Sequence, residues 1–102
     1  MRPEVRELVE MGSLPSSDAA GEDRLRTEHL ERLILSIEPP VSDDEATALS
    51  GIFGPDECFG LAWTLVTLIE SAPGWPLLDR LPASDNQWIE FLRERAIRRQ
   101  WT

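Results

Sequence analysis

The stretch Gly54–Pro76, "GPDECFGLAWTLVTLIESAPGWP", contains an apolar run from Cys58 to Ile69 that only glycine and threonine interrupt. These 12 residues fall well short of the roughly 20 that a helix needs to span a bilayer. A helix that is apolar almost all round is typical of one surrounded by other helices. We therefore predict a central buried helix at about 55–72, with Trp63 enclosed.

The residues before this run indicate a second helix packed against it. Ser42 and Glu45 have the spacing of a capping box, and the helix that they open is predicted to end near Phe53 with Gly54 as a left-handed cap. Pro55 then stands where a proline opens a helix. The result is an αα-hairpin at about 43–72. It resembles a helical-repeat hairpin of the HEAT or armadillo kind, a pattern that many unrelated helix pairs share.

Three further helices complete the prediction. A short one begins near Pro3 and stops at Gly12, followed by a small, polar segment that we interpret as a flexible linker. Another runs over about 22–37 until "EPP" ends it, and the last follows a capping box of Ser84 and Gln87. No segment alternates with the period of two of a half-buried strand.

The predicted architecture is accordingly all-α: a compact single-domain bundle of about five helices. Residues 1–20 are expected to form the short first helix and its linker, and residues 21–102 the domain itself.

One strip of small residues interrupts the apolar helix. Its members follow one another at spacings of four, three and four, so they lie on one side of the helix: Gly60, Thr64, Thr67 and Ser71. The strip either faces solvent or packs tightly in the fold, or it forms a groove for self-association.

Charge and cysteine content narrow the classes of function. The net charge is −9, distributed as −3 over residues 1–32, −8 over 33–79 and +2 over 80–102. An anionic surface of this kind repels phosphate backbones and anionic lipids, so we predict neither nucleic-acid nor membrane binding. The single cysteine, Cys58, cannot form an internal disulfide, and the first residues do not resemble a signal peptide. We predict a cytoplasmic protein.

Candidate chemistry is sparse. Cys58 and His29 are the only thiol and imidazole, and the neighbouring Asp56 and Glu57 oppose thiolate formation. A buried cysteine is the alternative interpretation. The chain has no calcium-loop, di-metal or zinc-ligand spacing and no glycine-rich phosphate loop. We predict no catalytic residue, no cofactor and no metal.

The remaining candidates for function are residues predicted to lie on the surface. Two helix starts bring together an acidic patch that would attract a basic protein, and two tryptophans are candidate interface anchors: Asp43, Asp44, Glu45, Asp56, Glu57, Trp75 and Trp101. The alternative for the patch is a solvated acidic face.

These features favour a small acidic protein-binding module. Its concrete form is an immunity or antitoxin protein that neutralises a basic partner such as a nuclease. The alternative is a non-catalytic structural component that forms a homodimer or a larger assembly.

Overall fold

The computed structural model describes residues 1–16, 22–54, 60–76, 80–81 and 86–101, with side chains in the last helix described as far as Arg98. Within these ranges there are five α-helices and no strand: α1 Pro3–Met11, α2 Arg24–Ser36, α3 Asp43–Leu49, α4 Leu61–Glu70 and α5 Gln87–Trp101. The predicted all-α fold is confirmed. None of the described helices is long and apolar enough to cross a membrane.

Local signals define several helix ends as predicted. Gly12, at φ 88°, ends α1 in a backbone conformation that glycine adopts without steric cost. Asp23, which was not predicted as a cap, accepts a hydrogen bond from the Arg26 amide at the start of α2. The capping box of Ser42 and Glu45 at the start of α3 is present in both directions. Ser84 lies outside the described residues, and the Trp88 amide donates to the side chain of Asn86.

The end of α3 differs from the prediction. The helix ends at Leu49, four residues before Phe53, and the Ile52 carbonyl accepts a hydrogen bond of 2.8 Å from the Leu14 amide. Gly54 is not the left-handed cap that we predicted, since its φ is not positive. A Cβ at this position would lie 2.1 Å from the Leu14 carbonyl oxygen. Gly54 is therefore needed for the close approach of two backbone segments.

The start of α4 also differs. Gly60 adopts the left-handed conformation at φ 88° and precedes the helix, which begins at Leu61. A continuous helix from Pro55 through Gly60 is therefore wrong, because a helix cannot pass through a left-handed residue. Residues 55–59 lie outside the described part of the chain.

Every described helix contributes buried side chains to the core. Helix α1 packs on α2 and α3, and α4 packs on α2 and α3. Val5 and Leu8 of α1 are fully buried, so this helix is part of the core, while residues 17–21 of the predicted linker lie outside the description. Helix α5 adds Leu92 and Trp88, whose ring stacks on Phe53. The radius of gyration, 13.1 Å, is that of a compact domain of this length.

Helix α4 is not enclosed on all sides. Leu65 and Ile69 are fully buried, as predicted for a core helix, but Trp63 is 48% exposed and Thr67 is exposed as well. The prediction that Trp63 is enclosed is wrong. The neighbouring helices cover only part of the circumference of α4, and the uncovered part contains Trp63 and the small residues beside it.

Candidate functional site

Glu45 belongs to the interior rather than to an acidic surface. It is 4% exposed, and its carboxylate accepts hydrogen bonds from the Ser42 amide at 2.9 Å and from Arg2 Nε at 2.8 Å. Burial raises the pKa of this carboxyl, but hydrogen bonds from the Ser42 and Arg2 amides and from the Arg2 guanidinium outweigh burial and lower it from 4.5 to about 2. Glu45 is thus a charged anchor for the N-terminal segment.

The other two acids at the start of α3 also have partners within the fold. Asp43 is half-buried and accepts a hydrogen bond of 2.8 Å from the Gly74 amide. The Asp44 side chain is 80% exposed and forms an ion pair with Arg80. Of the described acids in the predicted patch, only Asp44 projects into solvent, and its charge is balanced by an arginine.

The remaining predicted residues divide into two groups. Trp75 is half-buried and packs against the core. Asp56, Glu57, Cys58 and the Trp101 side chain lie outside the description. Whether Cys58 is buried therefore stays a prediction, and His29 Nε2 lies 2.7 Å from a Glu7 carboxylate oxygen.

Most of the described arginines have partners inside the protein. Four form ion pairs with acids: Arg2 with Glu45, Arg24 with Glu28, Arg80 with Asp44 and Arg95 with Glu70. Two more donate to backbone carbonyls, Arg26 to Met11 and Arg93 to Leu81. The hydrogen bond to Glu70 raises the pKa of Arg95.

The acids are left in excess on the surface. Six exposed glutamates form no ion pair with any described residue, and we call them the surface glutamates: Glu10, Glu22, Glu31, Glu38, Glu90 and Glu94. The exposed arginines without an ion pair in the same ranges are Arg6, Arg32 and Arg98. Within the described ranges, the unpaired negative charge at the surface therefore lies mainly on these glutamates and not at the start of α3.

An apolar groove lies between the C-terminal part of α2 and α4. We call it the α2–α4 groove; it has a volume of about 400 Å³ and is lined by Ile34, Leu35, Ile37, Pro39, Trp63, Thr64, Thr67 and Leu68. It is open to solvent along its length, and Leu35 at its edge is 64% exposed. Thr64 and Thr67 of the small-residue strip form part of its wall.

Sequence reasoning missed this groove, although a signal for it was present. At 100° per residue, Trp63 lies beside Thr67 on the helical circumference of α4. A tryptophan adjacent to a strip of small residues could have indicated that the strip is uncovered.

Aromatic packing holds one wall of the groove in place. The Trp63 ring forms T-shaped contacts with two rings from α5, with centroid distances of 4.9 Å to Trp88 and 5.3 Å to Phe91. The Arg95 guanidinium lies over the Phe91 ring, 5.4 Å from its centroid. Such edge-to-face contacts restrict rotation of a large side chain, so Trp63 is presented in a defined orientation.

The described residues contain neither a cluster of metal-ligating side chains nor a buried polar side-chain atom without a hydrogen-bond partner. They contain no group of three or more histidine, cysteine or acidic side chains placed to hold a metal ion. No buried polar side-chain atom among them lacks a hydrogen-bond partner. Among the described residues, the groove and the surface glutamates are therefore candidate contact surfaces.

Comparison with protein families, with curated proteins and with solved structures found no match to this chain.

Proposed function

We propose that this chain is a small acidic protein-binding module whose partner is a basic protein. Its concrete form is an immunity or antitoxin protein that neutralises a basic toxin domain, for example by covering a cationic cleft. The observation that carries the proposal is the surface charge: six exposed glutamates stand without an ion pair in the described ranges.

The physical argument concerns association. Acidic side chains on one protein and basic ones on another attract over about 10 Å at moderate ionic strength and accelerate encounter. An arginine that is paired with an acid inside the fold has its charge balanced by that acid. Such arginines therefore do not weaken the electrostatic field of the surface glutamates. The same field disfavours nucleic acids and anionic membranes as partners.

The test is capture from the cytoplasm of the native host, with identification of the retained proteins by mass spectrometry. We expect one basic protein to be retained at about 50 mM salt and its affinity to fall at least about tenfold at about 500 mM. A variant with all six surface glutamates changed to Gln should lose binding in the same way. The matched variant, with Arg6, Arg32 and Arg98 changed to Gln, should bind more tightly.

A separate variant examines the acidic patch predicted from sequence. It combines Asp44→Asn, Asp56→Asn and Glu57→Gln, and it leaves the internal contacts of Asp43 and Glu45 intact. Loss of the partner would place the contact at the helix starts. Retention of an acidic partner, or of one insensitive to salt and to every one of these changes, would contradict the proposal.

A second candidate function rests on the half-buried Thr64 and the exposed Thr67 beside Trp63. Small residues permit close helix contact, so these positions suit a homo-oligomer or an assembly component. Light scattering over a concentration series distinguishes the two candidates. A dimer that dissociates when Thr67 is changed to Arg would favour the second, and a monomer at all concentrations would remove it.

A further inference from the structure

The outward side of α2 presents two exposed leucines. Leu25 is 82% exposed and Leu35 is 64% exposed, whereas most of the described leucines are buried. Glu28 and Arg32, which stand between them in the sequence, are exposed as well. At 100° per residue, these four positions fall within about 80° of the helical circumference, on the side opposite the buried residues of α2. We call them the α2 stripe: Leu25, Glu28, Arg32 and Leu35.

The α2 stripe has the spacing of a seam between two helices. Its members follow one another at intervals of three, four and three residues, the alternation at which two helices pack along one line. The leucines occupy the two outer positions of the stripe, and the charged residues occupy the two inner positions. Polar or charged residues inside such a seam lower its stability but specify its alignment. The stripe therefore suits a single partner helix in one register.

The order of residues along the stripe is complementary to itself. An antiparallel second copy, related by a twofold axis level with residue 30, places Leu25 of each copy beside Leu35 of the other. The same arrangement places Glu28 of each copy beside Arg32 of the other. Both contacts occur twice, because a twofold contact uses the same surface on each copy. In a parallel pair, Glu28 would instead face Glu28, and Arg32 would face Arg32.

The charge on this side of α2 allows a second copy to approach. The exposed charged residues of α2 are two arginines and two glutamates, so this side is neutral although the whole chain carries a net charge of −9: Arg24, Glu28, Glu31 and Arg32. A strongly basic partner therefore gains little attraction here. The negative charge elsewhere on each copy is screened over about 8 Å at physiological ionic strength.

We propose that a second copy of this chain packs on the α2 stripe, with the two α2 helices antiparallel about a twofold axis. Four leucines form the apolar part of the contact, and two Glu28–Arg32 pairs between the copies set its register. Arg32 forms no ion pair with any described residue of its own chain, and Glu28 approaches Arg24 only to 4.0 Å. Both charged groups are therefore available to the second copy, where opposite charges fix the alignment of the helices.

The contact is small and has one unfavourable feature. It uses one side of a 13-residue helix from each copy, which is less area than stable dimers bury, so we expect the dimer to form at concentrations on the order of 100 µM. The twofold axis brings the two Glu31 side chains to the same edge of the contact, and Glu31→Gln should therefore tighten the dimer about twofold. The contact differs from that of the homo-oligomer considered above, which would use Thr64 and Thr67. It does not rest on the proposed function, since it involves no basic partner.

The test is sedimentation of the full chain, from about 10 µM to about 1 mM at physiological salt. Leu25→Ser and Leu35→Ser should each weaken the dimer at least about tenfold, because each removes two leucine contacts from a twofold interface. The matched control is Ile97→Ser, which should change nothing, since Ile97 is 46% exposed on α5. Thr67→Arg should also leave the dimer unchanged. Circular dichroism verifies that each variant is folded.

Two charge reversals test the register of the contact. In Glu28→Arg the new arginine meets Arg32 of the other copy, so the dimer should weaken at least about tenfold, although this variant carries less net negative charge. Arg32→Glu should weaken the dimer in the same way. An equimolar mixture of the two variants restores both ion pairs and should associate about as tightly as the wild type. In a parallel contact like charges already face each other, so neither reversal would weaken it.

Three results would overturn the inference. The first is a wild-type chain that remains monomeric at about 1 mM. The second is a dimer that both leucine variants leave intact, and its dissociation by Thr67→Arg would assign the contact to α4. The third is a mixture of the charge-reversal variants that associates no more tightly than either variant alone. Because sedimentation uses the purified chain, these outcomes are independent of the capture of a basic partner, which tests the proposed function.

Discussion

The start of α3 and the exposed side of α4 differ in charge and in whether their side chains have partners within the fold. At α3, three consecutive acids have partners within the fold: Glu45 is buried in contact with Arg2, Asp43 is half-buried, and the exposed Asp44 pairs with Arg80. At α4, an apolar helix leaves Trp63 half exposed beside an open groove. The acidic segment at the start of α3 thus stabilises the fold, whereas the apolar helix α4 exposes part of its side chains to solvent.

This contrast shows that polarity alone does not tell which residues meet a partner. An acid that caps a helix and pairs with an arginine is part of the structure. A tryptophan whose neighbours on the helix are small can remain uncovered. The following predictions test both halves of the contrast.

Removal of the Glu45 carboxylate should have the largest effect. Glu45→Ala leaves the Arg2 guanidinium and the Ser42 amide without their acceptor, which we expect to lower the free energy of unfolding by about 3 kcal/mol. Urea denaturation followed by tryptophan fluorescence measures this. The matched Asp44→Ala, at an 80% exposed ion pair, should cost at most about 0.5 kcal/mol. Equal costs at both positions would contradict the structural role of Glu45.

Acid should weaken the same anchor without any mutation. The pKa of Glu45 is lowered from 4.5 to about 2, so its contribution is complete above pH 4.5 and is lost as the pH falls toward 2. By pH 3 the loss amounts to about 2 kcal/mol. Denaturant unfolding of wild type and Glu45→Gln at pH 7 and pH 3 isolates it. A constant difference between the two proteins would show that Glu45 titrates normally.

Trp63 should contribute less to stability than a residue enclosed in the core. Trp63→Ala removes the contacts with Trp88 and Phe91, and we expect a loss of about 1.5 kcal/mol. Thermal unfolding by circular dichroism measures it. A loss above about 3 kcal/mol, as for a fully buried aromatic residue, would mean that Trp63 is enclosed in solution and that the groove is closed.

The smallest effect is expected at the groove edge. Leu35→Ser should change the free energy of unfolding by no more than about 0.5 kcal/mol, because an exposed side chain loses little on truncation. Leu25→Ser serves as the comparison in the same denaturation experiment. A cost above about 1 kcal/mol for Leu35→Ser alone would show that Leu35 supports the fold and would remove it from the surface.

Features encoded by a few neighbouring residues were predictable. Gly12 as a helix end and the capping box of Ser42 and Glu45 depend on positions within two turns. The all-α class follows from the helical periodicity of the apolar residues.

Features that depend on distant contacts were not predictable. Helix α3 ends early where Leu14 takes the Ile52 carbonyl, and Glu45 is buried because Arg2, 43 residues away, reaches it. Neither contact can be recognised from the residues that are adjacent in sequence to Ile52 or Glu45. For the candidate site, charge led to the proposal of a protein-binding module, which stays a proposal, and the groove required knowing which side of α4 its neighbours leave open.

The contacts at Gly54 join distant parts of the chain. The Leu14 amide binds Ile52 on one side, and the Asn86 side chain donates to the Gly54 carbonyl at 3.0 Å on the other. Neither end can then detach without breaking a contact in the middle. We therefore expect the backbone amides of α1 and α5 to exchange with deuterium through the same cooperative opening as the core rather than by separate fraying of the ends.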